Sequence, residues 1–257
     1  MRVASGVLAV LLAAAAGAAE DPLATRSGWE VGGQVARYRY QEPDIMWLKG
    51  DRFGASLAYT EANDKRVYGR IEARWSYGEL GYQGSGTLDG VPDHLLEVRM
   101  LAGRDYPRGS LAWSPYVGAA FRYLYNDLRG VSSTGQRGYR RESAYFYIPL
   151  GVTLRMPLGA GWALAPQVEY SGFIRGVQRS YLSDTGIPGL SNATNNQRDG
   201  RGYRAQLMFE GRRWSFGLWT DYWDVKDSDV RPIGAGMAGM EPANWTRESG
   251  VELRYRF

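Results

Sequence analysis

The sequence predicts an all-β fold, a ten-stranded antiparallel transmembrane β-barrel with short periplasmic turns and long extracellular loops, and three observations carry that prediction. Apolar and polar residues alternate with period two through most of the chain. The connections between the alternating segments are short and long by turns. Aromatic residues edge the apolar faces. Successive side chains on a strand point to opposite faces, so each segment is a ribbon with one apolar and one polar side. A meander with tight turns at one end and long loops at the other is the layout of a barrel that crosses a membrane.

Residues 1–19 stand apart from the barrel, which is expected over 20–257. Met1 and Arg2 precede an apolar run from Val7 to Ala16, followed by Gly17-Ala18-Ala19-Glu20. A basic start, a short apolar stretch and small residues before a polar break describe a secretory signal peptide, cleaved near Ala19 or Glu20. The run is too short for a spanning helix, which needs about 20 apolar residues.

The strands then follow in order. The first, near 29–40, places Trp29, Val31 and Val35 on one face and then shifts to Tyr38 and Tyr40, which predicts a bulge near Ala36. Segments 51–60 and 67–77 alternate cleanly, the latter with Val67, Ile71, Ala73, Trp75 and Tyr77 against Tyr68, Arg70, Glu72 and Arg74. The pattern continues through 94–104, 111–125, 144–156, 162–176, 203–211, 214–224 and 247–257. Short turns fall at 61–65, 105–109, 157–161 and 211–213, and polar loops at 41–50, 79–92, 127–141, 177–201 and 225–245. Segments of about 9–12 residues, tilted, match the thickness of the apolar band of a bilayer. Parity alone does not say which face is inside; the aromatic edges Trp75, Tyr77, Trp113, Trp162, Trp214 and Tyr255 favour a lipid-facing apolar wall.

Composition narrows the chemistry. With no Cys and one His in 257 residues, a disulfide scaffold, a thiol nucleophile and a multi-histidine metal centre are excluded within one chain. The 31 basic and 27 acidic residues are too balanced for a nucleic-acid binder. Lys49, Lys65 and Lys226 are the only lysines, so the cations are almost all arginine, the residue suited to crowded hydrogen-bonded places. No cofactor is expected.

One segment carries a resemblance. Val251, Leu253, Tyr255 and Phe257, alternating with Glu252, Arg254 and Arg256, are similar to the C-terminal strand of Gram-negative outer-membrane β-barrel proteins. The match is close over this strand and extends to the rest of the chain only as pattern. It implies that these four residues form the signal read by the barrel-assembly machinery. It also implies an outer-membrane location in contact with lipid and lipopolysaccharide.

With the apolar face outward, the polar face lines the lumen. It carries Arg70, Glu72, Arg74, Glu97, Arg99, Arg122, Arg155, Glu169, Arg175, Arg204, Glu210, Arg212, Asp221, Glu252 and Arg254, together with Arg52 and Arg256. That makes eleven cations against six anions, a positive lean. A barrel of ten strands is near the size that side chains can fill. Such charges either pair into a plug or leave a narrow pathway that favours anions. The first reading gives a non-catalytic barrel with a structural or surface-binding role, the second a small channel. An enzyme acting on lipid or peptide is a third. His94 is the residue on which it turns, and it shares the outward parity of Leu96 and Val98. Lipid A deacylases carry a serine where Leu96 stands, and the Asp-x-His motif of omptin-type proteases is absent. In the loops, Asp224, Asp227 and Asp229 form an acidic cluster without EF-hand spacing. Arg137, Arg140 and Arg141 are expected to reach lipopolysaccharide phosphates.

Overall fold

The computed structural model describes residues 21–257, so the signal-peptide reading of 1–19 lies outside the described residues. Ten long strands form the wall: β1 Gly28–Glu42, β2 Met46–Ala62, β3 Val67–Gln83, β4 Thr87–Arg104, β5 Leu111–Asp127, β6 Arg140–Gly159, β7 Trp162–Ser180, β8 Gly200–Glu210, β9 Trp214–Val225 and β10 Asn244–Arg256. Each pairs antiparallel with the next. β1 pairs with β10 from Glu30↔Arg256 to Gln41↔Trp245, which closes the cylinder. Closure leaves the wall without a free edge, as a bilayer demands.

The alternation places its residues as the pattern expects within the apolar band. Phe53 is 63 % exposed and Leu150 58 %, whereas Arg52 and Leu48 on the opposite parity of β2 are fully buried. Exposed apolar residues are tolerable here because lipid is their solvent. At the short-turn end, Gly159, Ala160 and Gly161 all take positive φ, the left-handed backbone that lets β6 return into β7 in one tight step.

Three expectations are corrected. β1 to β7 run well past the expected 9–12 residues, and the expected loops at 41–50 and 79–92 shrink to turns at 43–45 and 84–86. β1 to β4 therefore rise above the apolar band as paired hairpins, because polar outward residues do not end a strand once water is the outer solvent. No bulge occurs at Ala36: β1 keeps register with both neighbours through that position, and Tyr38 and Tyr40 point inward. The apparent shift of face at 38–40 reflects an interior that becomes apolar there. A bulge does occur in β7, where Tyr147 pairs with Phe173 but Phe146 pairs with Arg175, leaving Ile174 extra. It reverses parity beyond Phe173.

The remaining connections are 128–139, 181–199 and 226–243. They carry a 3-10 turn at Leu182–Thr185, a short strand Ala193–Gln197 on the outer end of β7, and a hairpin of Arg231–Gly234 with Met237–Gly239.

Candidate functional site: the barrel interior

The inward face of the ten strands stacks side chains in layers from the short-turn end to the loop end. At the short-turn end, Thr25 of the segment before β1 donates its N–H to Asp105 Oδ2 at 2.6 Å and its hydroxyl to Asp105 Oδ1 at 2.8 Å. Arg155 donates to Thr25 Oγ1 at 3.1 Å and to Glu210 at 2.9 Å. Glu30 accepts from Arg256 at 2.6 Å and from Arg70 at 2.5 Å, and Arg70 also donates to Glu72 at 2.8 Å. Next, Arg99 joins Glu72 at 2.8 Å to Glu169, which also accepts from the Tyr116 hydroxyl at 2.7 Å and the Ser171 hydroxyl at 3.3 Å. Arg254 pairs with Glu252 at 2.7 Å.

The middle layer is the densest. Arg204 lies 2.6 Å from Glu97 and 3.0 Å from Asp221, and Arg122 and Arg74 reach Asp221 at 3.1 and 3.2 Å. Tyr147 donates to Glu97 at 2.7 Å, while Arg74 and Arg122 stack over Trp219 and Trp223. Above it Arg52, sandwiched on the Tyr38 ring, pairs with Asp93, and Glu248 lies 3.5 Å away.

Beyond Arg52 the interior changes character. Leu48, Leu80, Val91, Leu95, Leu124 and Leu128 pack with Tyr38, Tyr40, Tyr145 and Val225 into a buried apolar cluster. Over this cluster Arg141 binds Glu42 at 2.6 Å and also binds Glu241 of the last connection. Burial and the adjacent Glu42 carboxyl outweigh the Arg141 guanidinium and push Glu241 up to about 7.

Of the lumen residues the sequence indicates, Arg70, Glu72, Arg74, Glu97, Arg99, Arg122, Arg155, Glu169, Arg204, Glu210, Asp221, Glu252 and Arg254 lie in these layers. Two do not. Arg175 follows the β7 bulge, so it turns outward, is exposed and donates to Asn196 at 2.8 Å. Arg212 sits exposed in the turn between β8 and β9. The expected lumen set also lacks interior carboxylates: Glu30 and Glu248 stand at inward parity inside the expected strands 29–40 and 247–257, and Glu42 and Asp93 lie just beyond the expected ends of theirs. Asp105 and Glu241 project in from connections, which carry no parity signal. These six bring the interior close to charge balance, correcting the expected positive lean.

Outside the interior, His94 faces the wall among aromatic rings, with centroids 4.8 Å from Tyr77 and 5.9 Å from Tyr125. The acidic cluster disperses: Asp224 lies 3.2 Å from Lys226, Asp229 lies 2.7 Å from Arg231, and Asp227 accepts the Ala243 N–H. Among the described residues no three potential metal ligands gather. The basic trio separates too. Arg141 is interior, and Arg140 pairs with Asp184 at 2.8 Å and holds that carboxyl below its usual range. Neither is free for a lipid phosphate, and Arg137 stands beside Gly186 in the loop cluster.

Val251, Leu253, Tyr255 and Phe257 all project from the outer wall, and the Phe257 N–H donates to the Trp29 carbonyl at 3.0 Å.

No family model and no curated protein matches the chain. Among solved structures it is similar to the outer membrane protease OmpT from Escherichia coli at 10 % identity, with a TM-score of 0.58, over 92 % of this chain and all of that one. More distant likenesses include the β domain of the Bordetella autotransporter Brka (11 % identity, TM-score 0.41, 90 % of this chain and 100 % of that one). Another is the Pseudomonas putida toluene transporter TodX (10 % identity, TM-score 0.39, 92 % and 91 %). At such identities the likeness is one of fold. With an apolar outer wall, a polar interior and ten strands closed first to last, the chain has the fold of an outer-membrane β-barrel.

Proposed function

We propose that this is a non-catalytic barrel whose interior is closed by its own side chains, and whose role, structural or surface-binding, belongs to its outer wall and loops. The observation that carries the reading is the succession of filled layers. Arg52, Arg99, Arg122 and Arg204 are buried among carboxylates, and an apolar cluster containing the fully buried Leu48, Leu80 and Leu95 covers them. Buried charges are tolerated when paired, and these are shared between two or more partners. A pore selective for anions needs a ring of arginines facing water, whereas here interior carboxylates are as plentiful as interior arginines. Two cavities of about 80 and 40 Å³ lie among the charged layers, room for a handful of waters rather than a passage.

Planar bilayer recording on the refolded protein tests the reading. Silence is expected at high salt. Discrete current steps with anion preference would replace the closed barrel by the channel reading. An enzyme reading rests on His94, whose ring neighbours are aromatic rather than a nucleophile; lipid A mass spectra unaltered by His94→Ala are the expected result, and an altered acylation pattern would contradict non-catalysis. For the last strand, the proposed assembly role of Val251, Leu253, Tyr255 and Phe257 predicts less assembled barrel when Phe257 is replaced by Ser.

A further inference from the structure

The outer wall holds three cations side by side. In the strand registers Arg39 of β1 stands directly opposite Lys49 of β2 on one side and Arg247 of β10 on the other, all at outward parity. Like charges facing across a sheet repel, so the row costs stability as it stands. Four other cations of the outer rim are neutralised: Arg129 pairs with Asp127, Arg179 with Glu142, Arg201 with Asp224 and Arg231 with Asp229. Among the described residues Lys49, Arg39 and Arg247 have no carboxylate in ion-pair reach. Arg39 donates instead to Gln41 at 2.7 Å, and its buried Nε has no acceptor. The row is framed by tryptophans, with Lys49 over Trp47 at 4.2 Å and Arg39 over Trp245 at 5.3 Å.

Its height can be placed. Arg39 lies ten residues along β1 from Trp29, at the other aromatic edge. At about 3.3 Å per residue and a tilt of about 40°, the rise is roughly 25 Å, the height of the lipid-facing band. The three cations therefore sit where outer-leaflet headgroups begin. Below them, toward the bilayer, runs an apolar groove of about 530 Å³ lined by Val35, Leu218, Val251, Leu253, Phe216 and Gly33. The groove owes part of its depth to Gly33, whose outward Cβ position is open space.

We propose that Lys49, Arg39 and Arg247, with the groove beneath them, form a binding site for a phosphate-bearing lipid of the outer leaflet. The headgroup phosphates lie across the three cations, and an acyl chain lies along Val35 and Val251. Arginine supplies paired donors to phosphate oxygens, and the lysine adds a point charge. This site replaces Arg137, Arg140 and Arg141 as the contact with lipopolysaccharide. It rests on the outward orientation of the wall and not on a closed lumen, so conductance and lipid retention fail independently.

Native mass spectrometry of the detergent-solubilised protein, titrated with bisphosphorylated lipid A, tests it. Each cation near an anionic lipid surface is worth about a factor of five, so Lys49→Gln/Arg39→Gln/Arg247→Gln is expected to bind roughly 100-fold more weakly. The control Arg129→Gln/Arg201→Gln is expected to bind as the parent does. Dephosphorylated lipid A is expected to bind at least about tenfold more weakly than the phosphorylated form. Inorganic phosphate at millimolar concentration is expected not to compete, since it lacks the acyl chain. Gly33→Phe, which fills the groove without touching a charge, is expected to weaken binding severalfold. A heat-modifiable gel shift confirms that each variant is folded. Retention unchanged in the triple variant, equal retention of the dephosphorylated lipid, or an equal loss in the control overturns the site. Full competition by inorganic phosphate, or no effect of Gly33→Phe, removes the groove and with it the assignment to a lipid.

Discussion

The lower and upper parts of the same ten strands use one parity for opposite chemistry. In the apolar band, outward positions are Val31, Val35, Phe53, Leu57, Val251 and Leu253, and inward ones are Arg70, Glu72, Glu97 and Arg99. Toward the loop end, outward positions become Arg37, Arg39, Lys49, Asp51 and Arg247, and inward ones become Tyr38, Tyr40, Leu48, Leu80 and Leu95. No strand of β1 or β2 slips register between the two regions. What changes is the solvent outside. Against lipid the apolar side is favoured outward, and the polar inward groups must satisfy one another. Against water the apolar side is favoured inward, and the upper barrel packs like the core of a soluble β-protein.

Substitutions that carry the chemistry of one region into the other should be the most damaging. Leu95→Asp puts an unpaired carboxylate into the apolar cluster and is expected to cost several kcal/mol, read as loss of the heat-modifiable folded band on a gel. Arg52→Met, at the boundary, leaves Asp93 and Glu248 buried with their main cation gone; about 3–5 kcal/mol is expected in urea unfolding from lipid vesicles. Leu80→Ala in the upper cluster should cost about 2–5 kcal/mol by the same measurement. If Leu80→Ala left stability unchanged, the upper interior would not be a packed core.

A smaller effect concerns the strap over the upper core. Because the folded state holds Glu241 protonated up to about 7 while the unfolded chain releases that proton near the ordinary carboxylate value, the folded state binds the extra proton between those limits. Stability contributed at this site is therefore greatest at acid pH and falls as pH rises toward 7. The protection of amides in the 226–243 connection, taken relative to their intrinsic base-catalysed exchange, is expected to fall over that window in the parent and to stay level in Glu241→Gln. The smallest effect belongs to the exposed pair Arg129–Asp127: Arg129→Ala should change unfolding by no more than about 1 kcal/mol, since surface pairs are screened.

Most of the wall was legible because a strand has an invariant period of two. Strand number, closure and the inward placement of Arg99, Glu97 and Arg204 follow from it. The sequence misled where an element of the wall does not report its own environment. Tyr38 and Tyr40 looked like a slip of face because their parity was read under one solvent only. Arg175 was placed inward because a single extra residue, Ile174, carries no signal in composition. Arg212 was counted with the lumen residues although it lies in the expected turn 211–213, where strand parity no longer applies. Asp105 and Glu241 enter the interior from connections, and their partners Thr25 and Arg141 are 80 and 100 residues away, distances that no local pattern spans.

The claim that lipid lies outside and a closed interior within is tested most directly by single cysteines, which the chain's lack of native Cys makes clean. Val35→Cys, Gln34→Cys and Lys49→Cys in the protein reconstituted in vesicles can be challenged with a membrane-impermeant maleimide and with a lipid-soluble one. The account predicts that Lys49→Cys reacts with the impermeant reagent, Val35→Cys only with the lipid-soluble one, and Gln34→Cys with neither. Ready reaction of Gln34→Cys with the impermeant reagent would show water running through the barrel and contradict the account.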